Sequence, residues 1–313
     1  MISIIKAAAK LCVVVAAMAT FLRATPSYAE TPYYASNTGS GSSCTFAQPC
    51  PLYIAIGSAG LASGTGRVIC LGPIDGTANS STGLTGSGNQ TTEVICPQGA
   101  QGGILSTGAN QTLRMNGLTL LGNQGGIETL RFFGSGTLIL ENCAFVDGSA
   151  VALDLEPNGP LNVVIKNSRI SNNPSGILLK PASGGSINAT FDHVTIAGNA
   201  GGGIRADSSN GPITVDISDS VIVDNVANGL NISSGTGTQN DMVNVIRTTI
   251  AKNGLNGIQT GGSNAAVLLN ASTLDSNTNG ATSASNGARI ISYGNNQIIG
   301  PAGSGFTGTA SLQ

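Results

Sequence analysis

The 313-residue chain is poor in the side chains that usually cover a soluble protein. It has no tryptophan and one histidine, aromatic residues make up 4% of it, and charged residues make up 9%; about 25% charged residues is typical of a soluble domain. So little charge leaves few side chains for an ordinary charged surface. The scarcity of aromatic rings also counts against a carbohydrate enzyme, because such sites commonly stack rings on sugar faces.

Long apolar runs are missing after residue 29. The first 29 residues have the layout of a secretory signal peptide, with Lys6 and Lys10 before the apolar run "LCVVVAAMATFL" and small residues before a cleavage point at Ala29. An N-terminal membrane anchor is the alternative, but the run is shorter than the roughly 20 residues that a span needs. We predict a secreted or periplasmic protein with no membrane span after cleavage.

Basic residues are too few for a nucleic-acid partner. Removal of Lys6, Lys10 and Arg23 with the signal peptide leaves ten of the thirteen basic residues against fifteen acidic ones. Proteins that bind a phosphate backbone need a basic surface. We therefore expect no nucleic-acid partner.

Glycine is abundant, with 45 residues, and many glycines lie in a repeated phrase typified by "IAKNGLNGIQT" at residues 250 to 260. The apolar residue that opens the phrase recurs every 24 to 28 residues, at Leu120, Phe145, Ile170, Ile196, Ile222, Ile250, Leu274 and Ile298. We call these residues the anchors. This spacing is typical of a solenoid.

Each repeat contains the pattern of three short strands. Seven and five residues before an anchor stand two alternating apolar residues, such as Val243 and Val245, and in the last repeat Ile291 and Tyr293. Six to eight residues after the anchors comes another apolar residue: Ile127, Val151, Ile177, Ile204, Leu230, Ile258 and Ala281. Period-two alternation favours strands over helices. Because propeller blades need roughly 40 residues, the pattern predicts one coil of a parallel β-helix per repeat.

An asparagine column follows the anchors by three residues. It reads Asn123, Gly148, Asn173, Asn199, Asn225, Asn253 and Asn277. Stacked amides can donate to one neighbour and accept from the other, and asparagine tolerates the left-handed backbone of a tight turn. We predict a structural asparagine ladder; glycan or metal binding by these amides is the alternative.

Five cysteines remain after signal cleavage. Cys44 and Cys50 could close a small loop, and Cys70 and Cys96 stand one repeat apart in matching "VIC" contexts. On neighbouring coils the latter pair would be within disulfide reach, so we predict a bridge there. Cys143 is left over, and we expect a small buried apolar residue rather than a reactive thiol.

The mature N-terminus resembles that of secreted bacterial right-handed parallel β-helix proteins of the pectate lyase-like superfamily. The matching residues are Tyr34, Ser36, Gly39, Cys44, Thr45, Pro49, Cys50 and Gly66. The resemblance covers nearly the whole mature chain. It implies an all-β, right-handed, three-sided parallel β-helix of about ten coils, with a short capping helix around residues 52 to 61. The predicted divisions are signal peptide 1–29, N-terminal cap 30–66, β-helix 67–300 and C-terminal tail 301–313.

The resemblance specifies function poorly, because the superfamily includes lyases, hydrolases, epimerases and proteins without known activity. The Gly-His-Gly and Arg-x-Lys motifs of polygalacturonases are missing, and "FDHV" at residues 191 to 194 is not the Asp-Pro-His-Asp of alginate epimerases. A lyase-like reaction would use Ca²⁺ on acidic residues and a basic residue to remove a proton. No other cofactor is evident.

Two groups of outward residues are candidates for a site. Alternation after the second strand places Asp154, Lys180 and Asp207 in one column with Arg205 beside them, and we predict substrate binding there. Three residues before the anchors, His193, Asp219 and Arg247 follow one another on consecutive coils, and this row contains the candidate catalytic residues. The alternative for both groups is a solvated ladder of alternating charges.

We therefore expect an exported β-helix protein that binds polysaccharide or cell-surface glycan along one face of the solenoid. If it is an enzyme, it is a polysaccharide lyase or epimerase acting on a uronate-containing glycan. The alternative is a non-catalytic structural or adhesive rod at the cell surface. An ice-binding array is a third hypothesis, indicated by Thr119, Thr195, Thr249 and Thr273 but interrupted at Ala144, Arg169 and Val221.

Overall fold

Strands with short corners between them make up most of the part of the chain that the structure describes. A computed structural model describes residues 32–36, 38–60, 65–71, 82–84, 91–95, 100–101, 104–106, 109–121, 130–235 and 241–311. In these ranges there is one helix, α1 (Leu52–Gly60), and thirty strands, numbered in chain order. The predicted signal peptide lies outside them and stays a prediction.

The strands form three parallel sheets, which we name in the order in which each coil visits them. The described part of the first sheet has twelve strands: β1 (Tyr33–Ala35), β2 (Thr65–Cys70), β4 (Thr91–Ile95), β7 (Gln111–Asn116), β10 (Gly136–Glu141), β13 (Pro160–Lys166), β16 (Ser186–Asp192), β19 (Ile213–Ser218), β22 (Asp241–Ile246), β25 (Ala265–Asn270), β28 (Arg289–Ser292) and β30 (Gly308–Thr309). The second sheet has nine within the same ranges: β5 (Ala100–Gln101), β8 (Thr119–Leu121), β11 (Ala144–Val146), β14 (Arg169–Ser171), β17 (Thr195–Ala197), β20 (Val221–Val223), β23 (Thr249–Ala251), β26 (Thr273–Asp275) and β29 (Gln297–Ile299). The third also has nine in the described chain: β3 (Thr82–Leu84), β6 (Ile104–Ser106), β9 (Leu130–Phe132), β12 (Val151–Leu155), β15 (Ser175–Leu179), β18 (Ile204–Asp207), β21 (Leu230–Ser233), β24 (Asn256–Gly261) and β27 (Gly280–Ser285).

The three-sided parallel β-helix predicted from the repeat is confirmed. From β4 to β27 each coil contributes one strand to every sheet, and equivalent residues pair from coil to coil, as Ile170 does with Ile196. Nine strands in each of the second and third sheets is slightly fewer than the predicted ten coils.

The core is a continuous column of inward side chains. The anchors from Leu120 to Leu274 are buried, as are both alternating residues before each of them, and together they form one apolar cluster. Burial of this apolar surface is the main source of stability for such a fold.

The predicted pattern is wrong by one residue in the last coil. Ile290 pairs with Val267 and Ser292 with Leu269, so Ile290 and Ser292 point inward in place of Ile291 and Tyr293. Counted between paired residues, the chain from β28 to β29 is one residue longer than in the preceding coil, with five steps from Ser292 to Gln297 against four from Leu269 to Thr273, and it contains Gly294 at φ 79°. An added residue shifts the side-chain alternation to the other face.

Two of the predicted inward positions of the third sheet are also wrong. Leu153 rather than Val151 pairs with Ile177, and Thr282 rather than Ala281 pairs with Ile258. The corner between the second and third sheets varies in length, so a fixed count from the anchor does not locate the next strand. The predicted Ile127 lies outside the described residues.

The corner between the first and second sheets has only two residues in most coils. Its first residue has a left-handed backbone, as at His193 (φ 55°) and Asp219 (φ 49°). Its second residue is buried, and where this residue is serine or threonine its hydroxyl accepts a hydrogen bond from the equivalent amide of the preceding coil, as Ser220 Oγ does from Val194 at 3.0 Å. Further members of this hydroxyl ladder are Ser168, Thr248 and Ser272. This hydroxyl ladder was not predicted from the sequence.

The predicted asparagine ladder is confirmed between the second and third sheets. Amide-to-amide bonds of 2.9 to 3.1 Å run through the buried residues Asn173, Asn199, Asn225, Asn253 and Asn277. Gly148 donates its backbone amide to the ladder, and Asn123 lies outside the described residues. The left-handed residue is the one before each ladder asparagine, such as Lys252 (φ 53°), so the prediction that the asparagines adopt this conformation is wrong.

Close packing explains the glycines of the repeated phrase. A Cβ on Gly257 would lie 2.7 Å from the Ala281 carbonyl oxygen and 2.8 Å from the Asn277 amide nitrogen. One on Gly254 would lie 2.1 Å from the Val226 carbonyl oxygen. Only a residue without a side chain lets the next coil approach so closely.

The two ends of the described solenoid are covered. Helix α1 buries Ala55, Ile56 and Ala59 against the first coils, and β30 extends the first sheet at the other end. Cys44 and Cys50 form the predicted disulfide. Cys70 is disulfide-bonded, while its predicted partner Cys96 lies outside the described residues.

Helix α1, the helix that the structure describes, is not long and apolar enough to cross a bilayer.

Candidate functional site

Most of the predicted binding residues lie on the outer side of the third sheet. One column contains Arg131, Asp154, Leu178, Arg205, Asn231 and Gln259, and a second contains Phe133, Glu156, Lys180 and Asp207. We call these two columns the third-sheet face. The predicted column of Asp154, Lys180 and Asp207 is therefore wrong, because Asp154 is in register with Arg205. The residue of β12 that pairs with Ile177 is Leu153, two residues after the predicted Val151.

Arg131 connects the acidic and aromatic residues at the N-terminal end of the third-sheet face. Its Nε lies 2.9 Å from Asp154 Oδ2, its Nη2 lies 3.2 Å from Glu156 Oε2, and its guanidinium carbon lies 4.1 Å from the centre of the Phe133 ring. Asp154 is only 4% exposed. Because Asp154 is buried under Arg131, it is poorly placed to contact a ligand, and we do not assign it a binding role.

Both carboxylate oxygens of Asp207 are also engaged within the protein. Its Oδ1 accepts hydrogen bonds from the Ser209 hydroxyl and, at 3.1 Å, from the Ser209 amide, while its Oδ2 lies 3.2 Å from Arg205 Nη2. Burial alone would raise its pKa, but the two bonds from Ser209 and the charges of Arg205 and Lys180 outweigh this and hold the pKa below the ordinary value. Asp207 is therefore an anion at neutral pH that fixes the position of Arg205.

The remaining polar groups of the third-sheet face point to solvent. The side chain of Arg205 is 56% exposed and uses one nitrogen on Asp207. Lys180 makes no ion pair within 4.0 Å in the described chain. Gln259 accepts a bond from Asn228 at 2.7 Å through its oxygen, which leaves its amide hydrogens as donors. Three consecutive coils thus offer planar N–H donors at Arg205, Asn231 and Gln259.

Arg131, Phe133 and Glu156 were missed in the sequence. Leu130, the inward residue that precedes Arg131 on β9, follows its anchor by ten residues, whereas Ile177 follows its anchor by seven, so a fixed count from the anchor did not locate β9. The alternation in "LRF" at 130 to 132 is the signal that would have found the strand.

The predicted row of His193, Asp219 and Arg247 is formed at the corner between the first and second sheets. Arg247 binds Asp219 through two hydrogen bonds of 2.6 and 2.7 Å, and His193 Nδ1 lies 2.7 Å from Asp192 Oδ1. The hydrogen bond and charge of Arg247 hold the pKa of Asp219 below its usual range. All three residues have a left-handed backbone, which the two-residue corner requires.

Asp192, His193 and Asp219 together are a candidate metal group, since one donor atom from each lies within 4.8 Å of the others. Ca²⁺ takes six to eight oxygen ligands, whereas this set includes an imidazole. Both oxygens of Asp219 already bind Arg247, and Asp192 Oδ1 accepts a bond from Ser218 as well as contacting His193. The group does not fit the predicted Ca²⁺.

Comparison with known proteins identifies the fold. The solved structure of pectate lyase Pel9A is similar, with a TM-score of 0.58 and 16% identity over 89% of this chain and 78% of that chain. The A-module of the Azotobacter vinelandii mannuronan C-5 epimerase AlgE4 matches over 84% of this chain and 95% of that module, with a TM-score of 0.49 and 14% identity. No family model and no curated protein matches the chain. The resemblance to pectate lyase-like β-helix proteins is thereby confirmed for the fold.

Proposed function

We propose that this chain is an exported protein that binds acidic polysaccharide along the third-sheet face. The observation that carries the proposal is a run of side-chain donors on the outer face, with Arg205 exposed and Lys180, Asn231 and Gln259 half-buried, which follow one another along the solenoid axis. An extended sugar chain lying along this axis would meet one donor group on each coil. Its uronate carboxylates would pair with Lys180 and Arg205, and its hydroxyls would bind the two amides.

The geometry of Arg205 suits a carboxylate. A guanidinium presents several N–H donors in one plane and matches a carboxylate with two parallel bonds. Asp207 orients this plane, and its own charge is balanced by Arg205 and Lys180. One solved structure with a similar fold is a pectate lyase, and this supports the ligand class by analogy of fold.

A structural rod is the second candidate function. It is favoured by the ion pairs between neighbouring coils of the third-sheet face, where Arg131 binds Asp154 and Glu156. Such alternation stabilises a stack of coils without any ligand. The rod and the binding protein predict opposite results in one experiment.

That experiment is a glycan array probed with the wild-type protein and with two double variants. Lys180→Ala with Arg205→Ala removes both cations of the proposed site. Lys166→Ala with Arg169→Ala removes two exposed cations from the first and second sheets and is the matched control. We expect binding to pectate, alginate or glycosaminoglycans that the first variant loses and the control keeps. Absence of binding to every glycan would contradict the proposal and leave the rod.

An absorbance assay for unsaturated uronate, run on the same polymers with and without Ca²⁺, tests for catalysis. Product formed by the wild type and by the control but not by the Lys180/Arg205 variant would add lyase activity to binding. Binding without product would define a non-catalytic binding protein.

A further inference from the structure

Asp241 occupies a core position of the solenoid. It pairs with Ile213 on one side and Ala265 on the other, in a column that earlier coils fill with Leu161 and Ile187. It is 1% exposed. A carboxyl group in an otherwise apolar column is costly unless something compensates its charge.

The described chain does not supply that compensation. Neither oxygen of Asp241 has a hydrogen-bond partner among the described residues, and the buried hydroxyl of Ser208 has none either. Ser208 lies beside the carboxyl and opposes the rise of its pKa without completing a bond of normal geometry. Thr260 on β24 is fully buried, and its hydroxyl also has no hydrogen-bond partner within the described chain.

The negative charge of Asp207 makes the ionised form of Asp241 still less favourable. Burial, with a smaller contribution from the carboxylate of Asp207, raises the pKa of Asp241 to about 7 against the effect of Ser208. Arg205 and Lys180 act on Asp207, and Arg205 pairs with it on the outer face. The Asp241 carboxyl and the Ser208 hydroxyl are therefore left without partners in the described chain, near the negative charge of Asp207.

We propose that Asp241 and Ser208, with Asp207 beside them, form an interior binding site for a hard divalent cation such as Ca²⁺. The site lies at the corner between the third and first sheets. Its donors are all oxygens, which Ca²⁺ prefers. A bound cation would satisfy both oxygens of Asp241 and cancel the repulsion from Asp207. It is separate from the exposed group around His193, whose donors are already engaged.

The test measures thermal unfolding of the full-length protein at pH 7.5 after chelation, with and without 1 mM CaCl₂. We expect Ca²⁺ to raise the Tm of the wild type by about 5 °C. Asp241→Asn should lose this shift. Asp275→Asn, which changes a carboxylate on the outer side of the second sheet, should keep it. No shift in the wild type, or an equal shift in Asp241→Asn, would overturn the proposal.

A pH series of the wild type decides the matter even if Asp241→Asn does not fold. A carboxyl whose folded-state pKa is raised from 3.8 to about 7 binds more protons in the folded than in the unfolded protein between these values. The metal-free protein should therefore lose stability as pH rises from about 4 to about 7. Ca²⁺ should remove this decline. A decline that is the same with and without Ca²⁺ would show a buried acid neutralised by a proton and would refute the cation site.

Discussion

At the scale of single residues, different amino acids make the same hydrogen bond at equivalent positions of successive coils. Cys143 stands where other coils have Ser168, Ser220 or Thr248, and its Sγ lies 3.2 Å from the Glu141 carbonyl oxygen. Ser168 makes the equivalent bond to Lys166 at 2.7 Å. Burial raises the pKa of the Cys143 thiol to about 11. These observations agree with the prediction of an unreactive buried cysteine.

Cys143→Ser should therefore leave the free energy of unfolding within about 1 kcal/mol of the wild type, since serine fills the same role. Cys143→Val, which has no polar atom for the ladder, should be less stable than Cys143→Ser. Chemical denaturation measures both. Thiol labelling at pH 8 should be slow in the folded wild type and fast after unfolding, because little thiolate forms in the native state. Fast labelling of the native protein would contradict this account.

At the scale of the structural element, the corner between the second and third sheets depends on buried amides and on glycines that leave room for them. Asn253 donates to Asn277 and to the Ile222 carbonyl, and it accepts from Asn225. Gly229 lies against it, with a hypothetical Cβ 2.8 Å from the Asn253 amide nitrogen. The repeated phrase typified by residues 250 to 260 therefore reflects the packing requirements of one corner.

Asn253→Ala should lower the free energy of unfolding by roughly 2 kcal/mol or more, because it leaves buried donors of neighbouring coils without acceptors. Asn244→Ala is the control, since Asn244 bonds Asp216 on the exposed side of the first sheet and should cost less than about 0.5 kcal/mol. Urea denaturation of both variants compares them. Equal losses would show that the ladder adds nothing beyond a surface hydrogen bond.

Two glycine-to-alanine changes separate close packing from backbone entropy. Gly229→Ala would place a methyl group 2.7 Å from Ile250 Cγ2 and 2.8 Å from the Gly257 carbonyl oxygen, so it should destabilise by about 1–3 kcal/mol. Gly57→Ala, in helix α1 with nothing within 4 Å, should stabilise by about 0.5–1 kcal/mol. Thermal unfolding gives the sign of each change, and a stabilising Gly229→Ala would refute the packing argument.

At the scale of the whole molecule, the period and the alternation were enough to predict the coil, the asparagine ladder and, before the last coil, the inward residues of the first and second sheets. Each of these depends on contacts between identical positions, which a repeat displays directly. The length of a corner depends on local packing, which is why the alignment misplaced Val151, Ala281 and Ile291. The third-sheet face depends on those corners, so its columns and the role of Arg131 could not be predicted, although Lys180, Arg205 and Asp207 were.

The most direct test of the central claim is the affinity of an acidic oligosaccharide for the full-length protein, measured by calorimetry at two salt concentrations. The account predicts that oligogalacturonate or oligoalginate binds more tightly at low salt, because charge pairs at Lys180 and Arg205 are screened by ions. It also predicts at least about tenfold weaker binding by the Lys180→Ala, Arg205→Ala variant and unchanged binding by the Lys166→Ala, Arg169→Ala control. Equal weakening by both variants, or no binding by the wild type, would contradict the assignment of the third-sheet face as a polysaccharide site.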